Sequence, residues 1–259
     1  MEVTLNGAKI YYTIDLFGGI NITESMVVSW IVMIIIAVLC KVLTHNMKVR
    51  PETKRQLIAE FLVEKATNLV VGNMGEAFRN FTPFIAALMA LSCLSSLSSL
   101  FGCYPPTADL NIIAGWSIVV FVLITYYKMR AGIGNYLVGF TKPIFILTPF
   151  NIISEIATPV SMTFRHFGNI VSGMVIDTLI YAAMASFSTV LFGWLPGLLG
   201  SFPFLQIGIP VVFSLYFDIF SALLQAYIFA MLTMLYISNA AEDNPPKEKK
   251  KKKKKEANA

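Results

Sequence analysis

SMVVSWIVMIIIAVLCKVL, Ser25 to Leu43, decides the fold of this chain. A helix needs about 20 apolar residues to cross roughly 30 Å of hydrocarbon, and this stretch supplies them with one charge, Lys41, near its end. Lys48, Arg50, Lys54 and Arg55 follow directly, whereas Met1 to Glu24 holds Lys9 as its only base. By the positive-inside rule the N-terminal segment, residues 1–24, is therefore expected outside and the basic cluster in the cytoplasm. Glu2 and Asp15 precede any apolar run and no basic n-region leads into one, so no cleaved leader is expected.

The whole chain agrees with this start. Of its 259 residues 56% are hydrophobic and 14% charged, against about a quarter charged in an average soluble domain. Lys247 and Lys249 to Lys255 supply eight of the twenty bases, and without that tail the chain is close to neutral. Residues 241–259 read as a disordered Lys-rich tail, solvated or drawn to anionic membrane lipid. Cys40, Cys93 and Cys103 have no metal-ligand spacing and their odd number gives no disulfide framework.

Working outward, Pro51 to Phe81 mixes charge with Leu57, Ile58, Phe61, Leu62, Leu69 and Val70, the pattern of an amphipathic helix on the cytoplasmic surface. Pro83–Gly102 and Ile112–Tyr127 read as the next two spans, separated by CYPPTADLN, whose prolines end the helix. Lys128 and Arg130 return the chain to the cytoplasm. Ala131 to Phe150 reads as a loop. Asn151–Phe192 and Phe202–Ile237 then form two apolar stretches longer than a perpendicular crossing requires, so strong tilt is expected. The result is an all-α integral membrane protein with five membrane-embedded helices, the last two long and strongly tilted, and its C-terminus in the cytoplasm.

Polar residues inside these last helices fall on faces. Wound at 3.6 residues per turn, Asn151, Ser154, Thr158, Ser161, Arg165, Asn169 and Ser172 share one face, which continues as Ile176 and Leu179. An arginine keeps its charge in proteins, and at bilayer depth it costs roughly 2.5 to 3.5 kcal/mol on insertion scales. Such a residue marks function, and a polar face that stops part-way across suggests water reaching as far as Arg165. The competing reading is a packing seam of small hydroxyl residues. Ser214, Asp218, Ser221 and Gln225 form a second face, with Asp218 either a proton relay or a partner of Arg165. Glu155 lies toward the cytoplasmic end of the arginine helix and Asp177 toward the other end, on other faces. His166, about 100° round from the arginine, reads as packing or lipid-facing, with a proton role the less favoured alternative. No P-loop, dinucleotide fingerprint or nucleophile–base set is present, so no covalent chemistry, cofactor or nucleic-acid partner is expected.

Four blocks carry a resemblance. PPTADLN after the second span, KPI with PFNIISE before the arginine helix, PVSMTFRHFGN around it and LLQAYIFAMLTMLYIS in the last helix resemble subunit a of the F-type ATP synthase in order and spacing. The resemblance implies a non-catalytic membrane stator, with residues 83–240 conducting protons, or Na⁺, through two half channels to a rotating c ring. It implies b subunits of the peripheral stalk as further partners; a bacterial plasma membrane is expected as the location, in preference to an organelle. Arg165 looks like the family's essential arginine and Gln225 like the glutamine facing it. Asn169 and Ser161 match polar positions of the channel helix, and Asp218 falls at an ionisable position. Phe164 and His166 stand where the family often has leucines, and Met174 where it often has Glu or His, which leaves Asp218 and Asp177 to carry the proton path. A self-contained secondary transporter is the rival reading, disfavoured by the lack of internal repeats.

Overall fold

The computed structural model describes residues 7–14, 19–49, 53–130, 133–141, 145–192, 205 and 208–243. Lys142, the Pro- and Gly-rich break after Phe192 and the lysine tail lie outside the described residues. The helices are α1 Glu24–Leu43, α2 Lys54–Met74, α3 Thr82–Leu97, α4 Leu110–Met129, α5 Ile133–Phe140, α6 Thr148–Phe192 and α7 Ile209–Asp243. Glu24–Leu43, Glu76–Phe101, Leu110–Met129, Phe145–Leu191 and Pro210–Ala241 are each long and apolar enough to cross a membrane. The chain is an all-α, multi-pass membrane protein, as its sequence predicts. At 45 and 35 residues, α6 and α7 far exceed the roughly 20 that a perpendicular crossing takes.

Three local features depart from the sequence reading. Residues Ile10–Ile14 and Ile20–Thr23 pair as an antiparallel hairpin, β1 and β2, before α1. Their β-branched and aromatic residues favour strands, but so short an alternation is a weak signal beside the apolar run that follows. The stretch Ala131 to Phe150, expected as a loop, contains α5 and the start of α6. Asn151 Nδ2 donates to the Phe140 carbonyl at 2.8 Å, which satisfies the end of α5 from α6. The surface helix expected over 51–81 ends at Met74. Gly75, at φ 84°, takes a backbone conformation that L side chains rarely adopt, and a 3₁₀ turn, Glu76–Phe81, leads on into α3.

Two compact units make up the chain. The first comprises Met1–Leu39, Ala90–Leu110 and His166–Tyr227. Here Ser25 Oγ donates to Asp109 Oδ2 at 2.5 Å and the Tyr104 N–H donates to Glu24 Oε1 at 3.0 Å, tying the start of α1 to the turn before α4. Burial first, and then the charge of Asp109, raise the Tyr104 hydroxyl above its ordinary pKa. Ser25, Ser29, Ser92, Ser95, Ser96 and Thr107 are buried, small hydroxyl residues of the kind that let membrane helices approach closely.

The second unit comprises Cys40–Met89, Asn111–Arg165 and Ile228–Ala259. Its core joins Val70 and Met74 of α2, Ile85 and Leu88 of α3, Val120 and Ile124 of α4, Met162 of α6, and Phe229, Met234 and Ile237 of α7. Only the second half of α2 packs this way. Leu57, Ile58, Phe61 and Leu62 in its first half are exposed.

Candidate functional site

In the first unit, α6 and α7 bring two carboxylates together. Ser214 Oγ donates to Asp177 Oδ2 at 3.4 Å, Asp177 and Asp218 lie close enough to act on each other's charge, and Ser99, whose hydroxyl donates to the Ser96 carbonyl at 2.9 Å, lies beside Asp218. Sequence spacing puts these acids on separate faces of separate helices. Their meeting depends on how α6 and α7 pack, and Ser99 is an addition that the sequence reading lacks. Ser92, Ser95, Ser96 and Ser99, stepped by three, one and three residues, are the signal that could have found it: that is the spacing of one helix face, although Ser99 itself falls in the 3₁₀ turn Ser98–Phe101 after α3.

Farther along the same pair of helices, Asn169 Nδ2 donates to Gln225 Oε1 at 2.8 Å. Gln225 is buried, whereas Asn169 keeps an exposed position on α6. Ser221 is half-buried between the Gln225 and Asp218 turns of α7. His166 is fully buried and its Nε2 lies 3.4 Å from Ser92 Oγ, the direction of donation set by the ring tautomer. The sequence reading of His166 as packing holds, and its alternative, lipid-facing, does not.

Ser154, Ser161, Arg165, Asn169 and Ser172 are all exposed. Most of the polar stripe of α6 is thus left open, with Asn151 and Thr158 half-buried and Asn169 bonded to Gln225. Among the described residues no acid forms an ion pair with Arg165. Ser172 donates to the Gly168 carbonyl and Thr158 to the Ser154 carbonyl at 3.2 Å, so two stripe hydroxyls are satisfied by their own helix.

In the second unit, Glu155 is built into a polar cluster. Lys128 Nζ of α4 lies 2.6 Å from its Oε2, and the Tyr136 hydroxyl of α5 donates to Oε1 at 3.4 Å. Burial, followed by the charge and hydrogen bond of Glu155, raises the Tyr136 pKa, so the hydroxyl stays protonated and keeps donating at neutral pH. A cleft of about 270 Å³ reaches Glu155 past Asn151 and Ser154, and a second of about 140 Å³ reaches it past Thr158 and Asn239. From sequence Lys128 is no more than a topological charge. Its role as the ion-pair partner of Glu155 comes from the approach of α4 to α6.

Carboxylates with hydroxyl groups beside them thus lie on helices long enough to span a bilayer. The chain belongs to the ATP synthase A chain family, whose model matches residues 26–238. It is thus a multi-pass membrane protein of ATP synthesis and ion transport. It is 32% identical over 225 residues to ATP synthase subunit a of Trichlorobacter lovleyi, covering 85% of this chain and 88% of that one. It is 30% identical over 223 residues to ATP synthase subunit a 1 of Crocosphaera subtropica, covering 85% and 87%. Against ATP synthase subunit a of Legionella pneumophila the identity is 30% over 227 residues, covering 87% and 89%.

Proposed function

We propose that this chain is the ion-conducting stator of an F-type ATP synthase in a bacterial plasma membrane, held by b subunits, with α6 and α7 facing a rotating c ring. One observation carries this reading: α6 presents Arg165 on a face that its own chain leaves exposed, in a segment apolar enough to span the bilayer. A permanent charge there calls for a partner, because lipid tails cannot solvate it. An ionised ring carboxylate meets that need.

Two half channels would then serve the ring. The outer one runs by Asp177, Ser214 and Asp218, with Ser221 leading toward Gln225 and Asn169. Asp177, three residues beyond Met174, supplies the carboxylate that the family often places at that earlier position. The inner one runs by Glu155 and its two clefts along Ser154 and Thr158 to Ser161. Arg165 stands between them, favours the ionised form of the ring carboxylate and so promotes proton release, and blocks direct passage. Each proton falling through 100 mV supplies about 2.3 kcal/mol, so several steps are needed per ATP made elsewhere in the complex. The catalytic chemistry belongs to other subunits.

Cysteine labelling tests the path and the orientation together. Cysteines at Ser154, Thr158, Ser161 and Asn169 are expected to react with silver ions or hydrophilic thiol reagents, and cysteines at Ile176 and Leu179 to react far more slowly, because a thiol reacts through a thiolate that needs water nearby. A membrane-impermeant reagent is expected to reach a cysteine at Lys249 only from the cytoplasm and one at Asn6 only from outside. Equal inertness of Ser161, Asn169 and Leu179 would remove the water path, and labelling of both termini from one side would overturn the five-span topology.

A further inference from the structure

We propose that His166 is a positioning residue for Arg165, and that its buried contact with Ser92 fixes the rotation of α6 that keeps the guanidinium outward. The inference rests on the translocating role of Arg165 argued above.

Few residues hold α6 by burial. In this helix of 45 residues the buried positions around the arginine are Met162, Thr163, His166 and Ile170, a line at three- and four-residue spacing. His166 is the most buried of them at 0% exposed, and it is a polar ring among smaller or apolar side chains. Its neighbours in sequence lie on the other side: Arg165 is exposed, and Phe164 is 57% exposed. Consecutive residues of a helix stand about 100° apart, so whatever fixes the direction of His166 fixes that of Arg165.

An apolar side chain at 166 would hold this register by shape alone, and apolar packing tolerates small rotations. The imidazole adds a condition. Its Nε2 and Ser92 Oγ, also 0% exposed, satisfy each other at 3.4 Å. Turning or sliding α6 would separate them where no water replaces the bond. A buried polar contact can select one helix register among several of similar packing energy. Here the register selected is the one that delivers the arginine.

The test uses the whole complex in membrane vesicles, with His166→Ala, His166→Gln, Ser92→Ala and Arg165→Ala compared at equal amounts of assembled subunit. A displacement of about 1 Å at a reacting centre can cost about a hundredfold, so His166→Ala is expected to lower gradient-driven ATP synthesis ten- to a hundredfold with Arg165 still present. Vesicles stripped of the catalytic head should also become leaky to protons, as a misplaced barrier predicts and a merely loosened fold does not. His166→Gln, whose amide reaches the place of Nε2, is expected to restore most of the synthesis. Ser92→Ala should reproduce the defect in milder form. If His166→Ala makes ATP at the parent rate while Arg165→Ala makes none, His166 does not position the arginine. If both variants work normally, the translocating role of Arg165 itself is wrong. Should His166→Ala fail to assemble, the comparison of Ser92→Ala with the parent decides: an unaltered rate and a tight membrane overturn the proposal.

Discussion

Arg165→Lys is expected to assemble normally and to lose coupled ATP synthesis almost entirely. Both side chains are cations, so the difference between them is one of form. A guanidinium keeps its charge under all conditions, spreads it over a plane and offers a fork that matches a carboxylate with two hydrogen bonds. A lysine ammonium is a compact charge that gives up its proton more readily once removed from water, and one proton lost at this position removes both the attraction and the barrier. Removing a preorganised charge from the place where charge develops costs about 10²- to 10³-fold in well-studied sites, and a comparable loss is expected here. Synthesis driven by an imposed gradient, normalised to assembled complex, measures it, and a rate within twofold of the parent would refute the role given to Arg165.

The second large effect is expected at the acid pair. Asp177→Asn or Asp218→Asn alone leaves one carboxylate within the Ser214 and Ser99 network, so each should slow proton uptake from the outer side by about tenfold. The double substitution leaves no group in that network that can accept and return a proton. It should slow uptake by about 10²-fold or more, the low end of what a positioned acid or base contributes. Because asparagine preserves size and hydrogen bonding, assembly should persist in all three. A double variant that works at the parent rate would show that neither acid lies in the proton path. Single losses as severe as the double one would mean that both are needed in series.

Much of this is legible in the amino-acid sequence. The α1 run and the long apolar stretches of α6 and α7 fix a multi-pass helical protein, because bilayer thickness imposes a length that composition reveals. The α6 stripe is legible because helical periodicity alone decides which residues share a face. Contacts between helices are not. Asp177 with Asp218, Glu155 with Lys128 and His166 with Ser92 each join residues at least 27 positions apart, and no single-helix period specifies how two helices are set against each other. The hairpin before α1 escapes the sequence for a different reason: strands of five and four residues give too little alternation to compete with a neighbouring span.

If ions cross the membrane by way of the Arg165 face, ATP-driven acidification of inverted vesicles depends on that residue. Parent complex and Arg165→Ala are compared at fixed pH with Na⁺ varied, and passive proton flux is recorded after the catalytic head is removed. The parent is expected to acidify the lumen at a rate independent of Na⁺ and Arg165→Ala not to acidify it, while stripped Arg165→Ala vesicles should leak protons faster than stripped parent. Acidification by Arg165→Ala at the parent rate, through membranes no leakier than the parent's, would contradict passage by way of that face.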